Sequence, residues 1–187
     1  MSYMKNEMNS NSDPIRIKVR KTLLEEYFVY ELRDLYGAEQ QLLNVLPRWK
    51  SEAISPDLAS AIEEHIAHTQ QHITRLQVVF DMMGEAMRPR KCEAIEGIIR
   101  EADTTLAEAN GNSATHDVAL VMSIQKAEHY EIATYGGLIT LARTIGQDDV
   151  AEILKHTMAE EKEMDELLSG LAETNINEEA STESANV

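Results

Sequence analysis

A single cysteine, Cys92, occurs in the whole chain, which excludes an internal disulfide framework and suits a reducing compartment. Glycine and proline are scarce, at 8 and 4 of 187 residues, aromatics make up 5%, and no run of alternating strands is present. These shortages leave an all-α protein as the expectation. No apolar run approaches the ~20 residues a membrane span needs. The N-terminus has no apolar signal-peptide core, so a cytoplasmic protein is expected. Basic residues are also few: 17 Lys and Arg stand against 33 Asp and Glu, a formal net charge of −16. That balance argues against nucleic acid and anionic membrane surfaces as partners and is compatible with attracting cations. What is present is 43% hydrophobic residues in a chain long enough for one domain with a real core.

The ends are polar. Residues 1–20 form an arm that ends in alternating Ile/Val and Arg/Lys. The acidic stretch from 173 to 187 is expected to be disordered. Residues 21–172 carry the periodicity of four long helices. The first spans 22–54, with Thr22 and Glu25 in the two roles of a capping box and Pro47 expected to kink it. The second starts at Ser55–Pro56, an N-cap followed by proline at the first helical position, and stops at Gly84. The third and fourth span 115–145 and 148–171. Short turns join one to two and three to four, so each pair should form an antiparallel hairpin. The segment between the hairpins is too long for a simple loop and should hold a short helix over 92–109. Hairpin, crossover, hairpin is the topology of a ferritin-like four-helix bundle.

The second helix contains "EEHIAHTQQHITRL". Apolar or special residues recur at Leu58, Ile62, His65, Thr69, His72, Leu76, Val79 and Met83, in steps that keep one helix face together. His65 and His72 therefore stand where leucines would, and His68 stands beside them. One core histidine is ordinarily just hydrogen-bonded, but three together each need a partner. The other stripes break in the same way, with Glu39 on the first helix, Glu128 and Glu131 on the third, and Glu161 on the fourth.

Several carboxylates meeting in one core repel unless they are protonated or bridged by a cation. Two divalent metal ions would resolve this. Glutamate can bridge an ion pair, imidazole can complete each shell, and this hard-oxygen and nitrogen set suits iron or manganese. The i, i+3 pairs His65–His68 and Glu128–Glu131 are close enough to share a site. His65 and His72 lie two turns apart, ~10.5 Å along the axis, and cannot both bind one ion. His72 is accordingly placed behind the ligands or in a structural role. The bland alternative is a bundle whose polar residues sit at the stripe edges and pair by hydrogen bonds. It fits Glu131 best, because Ile132 competes for the core position. Asp165, one turn after Glu161, is open between ligand, hydrogen-bond partner and solvated residue.

The segments "LRDLYGAEQQL", "KCEAIEGII", "AEHYEIATYGGL" and "AEEKEMDELL" resemble, in this order, the YciF/YciE-type ferritin-like stress proteins. The resemblance covers roughly residues 22–173 and implies a ferritin-like bundle, a homodimer, a di-metal centre and a link to stress and peroxide responses. It also implies that Glu39, His65, Glu128, Glu131 and Glu161 occupy the family's core polar positions. One departure stands out. The family pattern on the second helix is HxxET, whereas this chain reads "HIAHT", with His68 in place of the Glu and His72 where Gln is common.

Three functions follow as expectations: redox chemistry of two metal ions with O2 or hydrogen peroxide, ferroxidase-like or manganese-catalase-like; metal binding without turnover; or a structural role. Tyr36 and Tyr135 share stripes with Glu39 and Glu128 and are candidates for binding a ligand or donating an electron, although a packed tyrosine is the commoner case.

Overall fold

The computed structural model describes residues 21–109 and 111–184. The N-terminal arm, residues 1–20, lies outside them. Helix α1 runs Leu23–Glu52. Its start is a reciprocal cap: Glu25 N donates to Thr22 Oγ1 at 3.2 Å, and Thr22 N donates to Glu25 Oε2 at 2.6 Å. The helix continues through Pro47 without a break. Helix α2, Pro56–Met82, begins on a Ser55 cap with proline in its first turn. Gly84 follows with φ +65°, a left-handed geometry in which glycine carries no Cβ penalty. Helices α3 (Glu93–Glu108), α4 (Ala114–Thr144) and α5 (Asp148–Leu171) follow.

The turn at 53–55 folds α2 back on α1, and the turn at 145–147, with Gly146 at φ +74°, folds α5 back on α4. Helix α2 packs on α5 and α1 on α4, which closes a four-helix bundle with one crossover, and α3 lies outside against α4 and α1. Among the described residues there is no strand, and no helix is long and apolar enough to cross a membrane. Two tertiary contacts hold the hairpins in register. Asp117 on α4 accepts from Ile54 N at 2.9 Å and Ser55 N at 2.7 Å, so the start of one hairpin grips the turn of the other. The crossover is pinned to α1 where Arg90 N donates to Arg33 O at 2.9 Å. Gly37 permits this approach, since a Cβ there would fall 1.6 Å from the Arg90 carbonyl oxygen.

The core is layered along the bundle axis. One apolar cluster gathers Leu42, Leu46, Trp49, Ile62 and Leu120 near the 53–55 turn. A second gathers Phe28, Leu32, Leu76, Phe80 and Val150 at the opposite end. Between them each bundle helix turns polar while staying buried, through Glu39; His65, Thr69 and His72; Glu128 and Glu131; and Thr157 and Glu161.

The tail departs from expectation. In place of disorder from residue 173, a π-helical turn, Ala172–Ile176, leads into α6, Asn177–Ser181, while residues 185–187 of the expected tail lie outside the described residues. Ile176 is buried in the first apolar cluster. The Glu183 carboxylate accepts from Ala114 N at 2.7 Å and from Thr115 N at 3.0 Å, at the positive end of α4. One apolar anchor and one well-placed charge order a segment whose composition is otherwise that of a solvated tail.

Candidate metal centre

The polar belt resolves into two groups. One ligand atom from each of His65, Glu128, Glu131 and Glu161 lies within 4.8 Å of the others, and the same holds for Glu39, His72 and Glu161. That span is about twice a metal–ligand bond of ~2–2.5 Å. Glu161 belongs to both groups. All six side chains are at most 1% exposed.

Burial sets the electrostatics. It pushes Glu128 and Glu131 well above the usual carboxylate range, and the neighbouring Glu161 charge adds to both. Burial also raises Glu39, against the pull of His72. His65 is pushed down to about 4, chiefly by burial, so its imidazole is neutral. His72 goes the other way. Burial disfavours its charge, but the contacts with Glu161 and Glu39 outweigh that and raise it to about 10. Glu161 feels the same burial, yet His72 holds it below the ordinary value. The metal-free belt is thus one His72–Glu161 ion pair among carboxyls that favour their protonated form.

Several of these atoms lack a hydrogen-bond partner. Both His65 nitrogens, both Glu128 oxygens, Glu131 Oε2 and Glu39 Oε2 are buried and unsatisfied. His65 Nδ1 lies 3.1 Å from Glu128 Oε1, but the two are not aligned as a hydrogen bond. An unsatisfied buried polar atom typically costs ~1–3 kcal/mol, and native cores hold few. These unsatisfied atoms converge from all four bundle helices, and the two groups could each hold a metal ion.

The chain matches, over residues 23–181, the family described as "Domain of unknown function (DUF892)". It is 38% identical over 158 residues to Protein YciF of Escherichia coli K12, covering 84% of this chain and 95% of that protein. The chain belongs to the YciF-type family. The crystal structure of the E. coli stress protein YciF superposes with a TM-score of 0.78 at 37% identity, over 84% of this chain and 99% of that one. YcfI from Rhodopseudomonas palustris gives 0.76 at 37% identity, over 82% and 96%. A protein from Xanthomonas campestris pv. campestris, 24% identical with a TM-score of 0.64 over 82% and 94%, shares the fold.

Glu39, His65, Glu128, Glu131 and Glu161, named from the stripes and from the family resemblance, come together. Glu131 faces the core and Ile132 is the half-buried edge residue, the reverse of the bland expectation. His68 does not join either group. Its side chain is 23% exposed, with Nε2 4.0 Å from Glu64 Oε1 and its ring 6.3 Å from that of His72. The helical rotation accounts for this: position 68 points ~60° away from 65, whereas 72 points only ~20° away. His72 therefore occupies the place expected of His68, one level along the axis. Tyr135 donates its hydroxyl hydrogen to Glu39 Oε1 inside the belt. Tyr36 lies outside it, accepting from Gln40 Nε2 at 2.6 Å and packing edge-on to Phe80. Asp165 sits at the rim, 3.2 Å from Gln125 Nε2 and 3.3 Å from His129 Nε2. Glu160 and Arg75 went unmarked in the stripe pattern, and both touch the site: His72 Nε2 is 3.0 Å from Glu160 Oε2, and Arg75 holds Glu160.

Proposed function

We propose that the buried belt binds two divalent ions, iron or manganese, and that the protein uses them in redox chemistry with O2 or hydrogen peroxide during stress. The observation that carries this reading is the pair of carboxylate–imidazole groups sharing Glu161, with unsatisfied lone pairs converging from all four helices. His65, Glu128 and Glu131 would hold one ion, Glu39 and His72 the other, and Glu161 would serve both. Ions so bound supply one-electron redox steps and Lewis acidity toward an oxygen ligand.

The surrounding residues have separate tasks. The apolar clusters at either end exclude water and strengthen the electrostatic interactions between the belt's charges. Tyr135 donates its hydroxyl hydrogen to Glu39 Oε1, the one belt carboxylate with a buried hydroxyl donor among the described hydrogen bonds. Neutral His65 keeps a lone pair available without first losing a proton. The family resemblance adds a homodimer as the assembly, which light scattering of the purified protein checks.

The deep burial of the belt, with Glu39, Glu128 and His72 at 0% exposure, favours a second reading: ion binding without turnover. Metal analysis of the purified and reconstituted protein, followed by oxygen and peroxide consumption, separates them. The redox reading expects roughly two ions per chain and catalytic consumption, as in other two-metal carboxylate sites. Both should be lost in Glu128→Ala at unchanged helix content. Uptake without consumption selects the second reading. No uptake after reconstitution overturns both and leaves a structural protein.

A further inference from the structure

His72 is held from two sides. Its Nδ1 faces the belt, 2.9 Å from Glu161 Oε1 and 3.6 Å from Glu39 Oε1. Its Nε2 faces outward, 3.0 Å from Glu160 Oε2. Glu160 is in turn gripped by a guanidinium fork, with Arg75 Nη2 donating to Oε1 at 2.8 Å and Arg75 Nη1 donating to Oε2. Arg75 Nη1 also donates to Thr157 Oγ1 at 3.3 Å, one turn before Glu160 on α5. His72 and Arg75 are three apart on α2, as Thr157 and Glu160 are on α5, so the chain of contacts runs from the belt to the surface along a single seam. Among the described residues no comparable partner stands behind His65, whose two nitrogens both lack a hydrogen-bond partner.

We infer that Glu160, buttressed by Arg75, is a positioning residue that keeps a proton on His72 Nε2 and aims the Nδ1 lone pair at the Glu39–Glu161 subsite. A ligating histidine ordinarily has its other nitrogen fixed by a carboxylate in this way, which sets both the tautomer and the ring orientation. The carboxylate is itself clamped: a bidentate arginine leaves it little freedom to rotate away. The inference rests on the proposed metal centre and makes its halves unequal, one with an oriented imidazole and one without. It also gives the departures from the family pattern a joint reading. The nitrogen of the second subsite comes from position 72, and position 68 is turned out of the belt.

A structural clasp across the α2–α5 seam would use the same contacts, so the test needs a readout that a clasp would not move. Cobalt(II) is titrated into metal-free wild type, Glu160→Ala, Glu160→Gln and His72→Ala, following ion affinity by calorimetry and ligand-field absorption by spectrophotometry. The inference expects two steps in the wild type. In Glu160→Ala one step should weaken by ~10–100-fold while the other keeps its affinity and its absorption band, the usual cost of deleting such a carboxylate. His72→Ala should lose that same step. Glu160→Gln, whose amide oxygen still accepts from Nε2–H, should recover part of it. Two wild-type steps that persist unchanged in Glu160→Ala overturn the inference and leave the metal centre standing. A single wild-type step unaffected by Glu160→Ala overturns it too. A wild type that takes no cobalt overturns the metal reading and this inference together.

Discussion

The apolar ends and the polar middle of the bundle are built by the same four helices and buried to the same degree, yet they are satisfied differently. Leu42, Leu46, Phe28 and Phe80 fill space and carry no polar side-chain atom to satisfy. Glu128, Glu131 and His65 occupy equivalent stripe positions, and both Glu128 oxygens, Glu131 Oε2 and both His65 nitrogens lack a hydrogen-bond partner. A packed core is specified by volume, whereas a buried polar layer is specified by what completes it. The ends therefore account for the fold, and the middle is maintained at a cost to the metal-free fold. Breaking local rules in one place while obeying them everywhere else is the pattern expected of a functional site.

That contrast is open to direct attack. The largest effect belongs to the ends. Trp49→Ala should destabilise the protein by ~3–5 kcal/mol in denaturant melts, to the same extent with and without metal. In the belt the sign reverses. Glu131→Met should stabilise the metal-free protein by ~1–4 kcal/mol, because an apolar side chain of similar volume replaces an unsatisfied carboxyl, and it should abolish ion uptake. Tyr135→Phe should cost about 1–3 kcal/mol by stripping Glu39 Oε1 of its donor.

The pH dependence sharpens the comparison further. His72 is raised from 6.5 to about 10 in the fold, and Glu128 and Glu131 are raised as well. Each therefore binds protons more tightly folded than unfolded. Their stabilisation is fully present below the unfolded values and is lost as pH climbs through the folded ones. Metal-free protein should accordingly lose melting temperature as pH rises from about 6.5 to about 10, the window of the His72 shift. Below 6.5 the depressed His65 opposes this trend, because it must charge in the unfolded chain first. Loaded protein should show the reverse slope near neutrality, since ligands must shed protons to bind. The smallest effect is Tyr36→Phe, within ~0.5 kcal/mol and without effect on uptake, because this tyrosine hydrogen-bonds only along its own helix and lies outside the belt.

Local chemistry made the helices legible. A reciprocal cap at Thr22, Ser55 ahead of Pro56, and glycines at 84 and 146 place the ends of α1, α2 and α4 within two residues of the expected bounds. The carboxylates were legible because a glutamate at a leucine position is conspicuous in a 3.6-residue period. The histidines were misread for a definite reason. The i, i+3 rule favours His65 with His68, whereas the two buried carboxylate groups take in His65 and His72, two turns apart on nearly the same bearing. Glu160 and the Gly37–Arg90 contact left no periodic trace, since each depends on which helix or crossover lies opposite. Ile176 was outvoted by its polar neighbours, although one buried isoleucine suffices to seat the segment.

The carboxylate of Glu183 at the start of α4 bears on the order of events at the ribosome. Ala114 N and Thr115 N are among the amides that a helix start leaves without internal partners, and the residue that receives them comes nearly seventy positions later. Until residue 183 has been made, α4 has only Ser113 to cap it. Glu128 and Glu131 ride on that helix, and Glu161 on the one after it. A nascent chain can assemble the α1–α2 hairpin early and expose Glu39, His65 and His72, but it cannot present a closed belt. The six side chains of the belt are brought together only once α5 has been made.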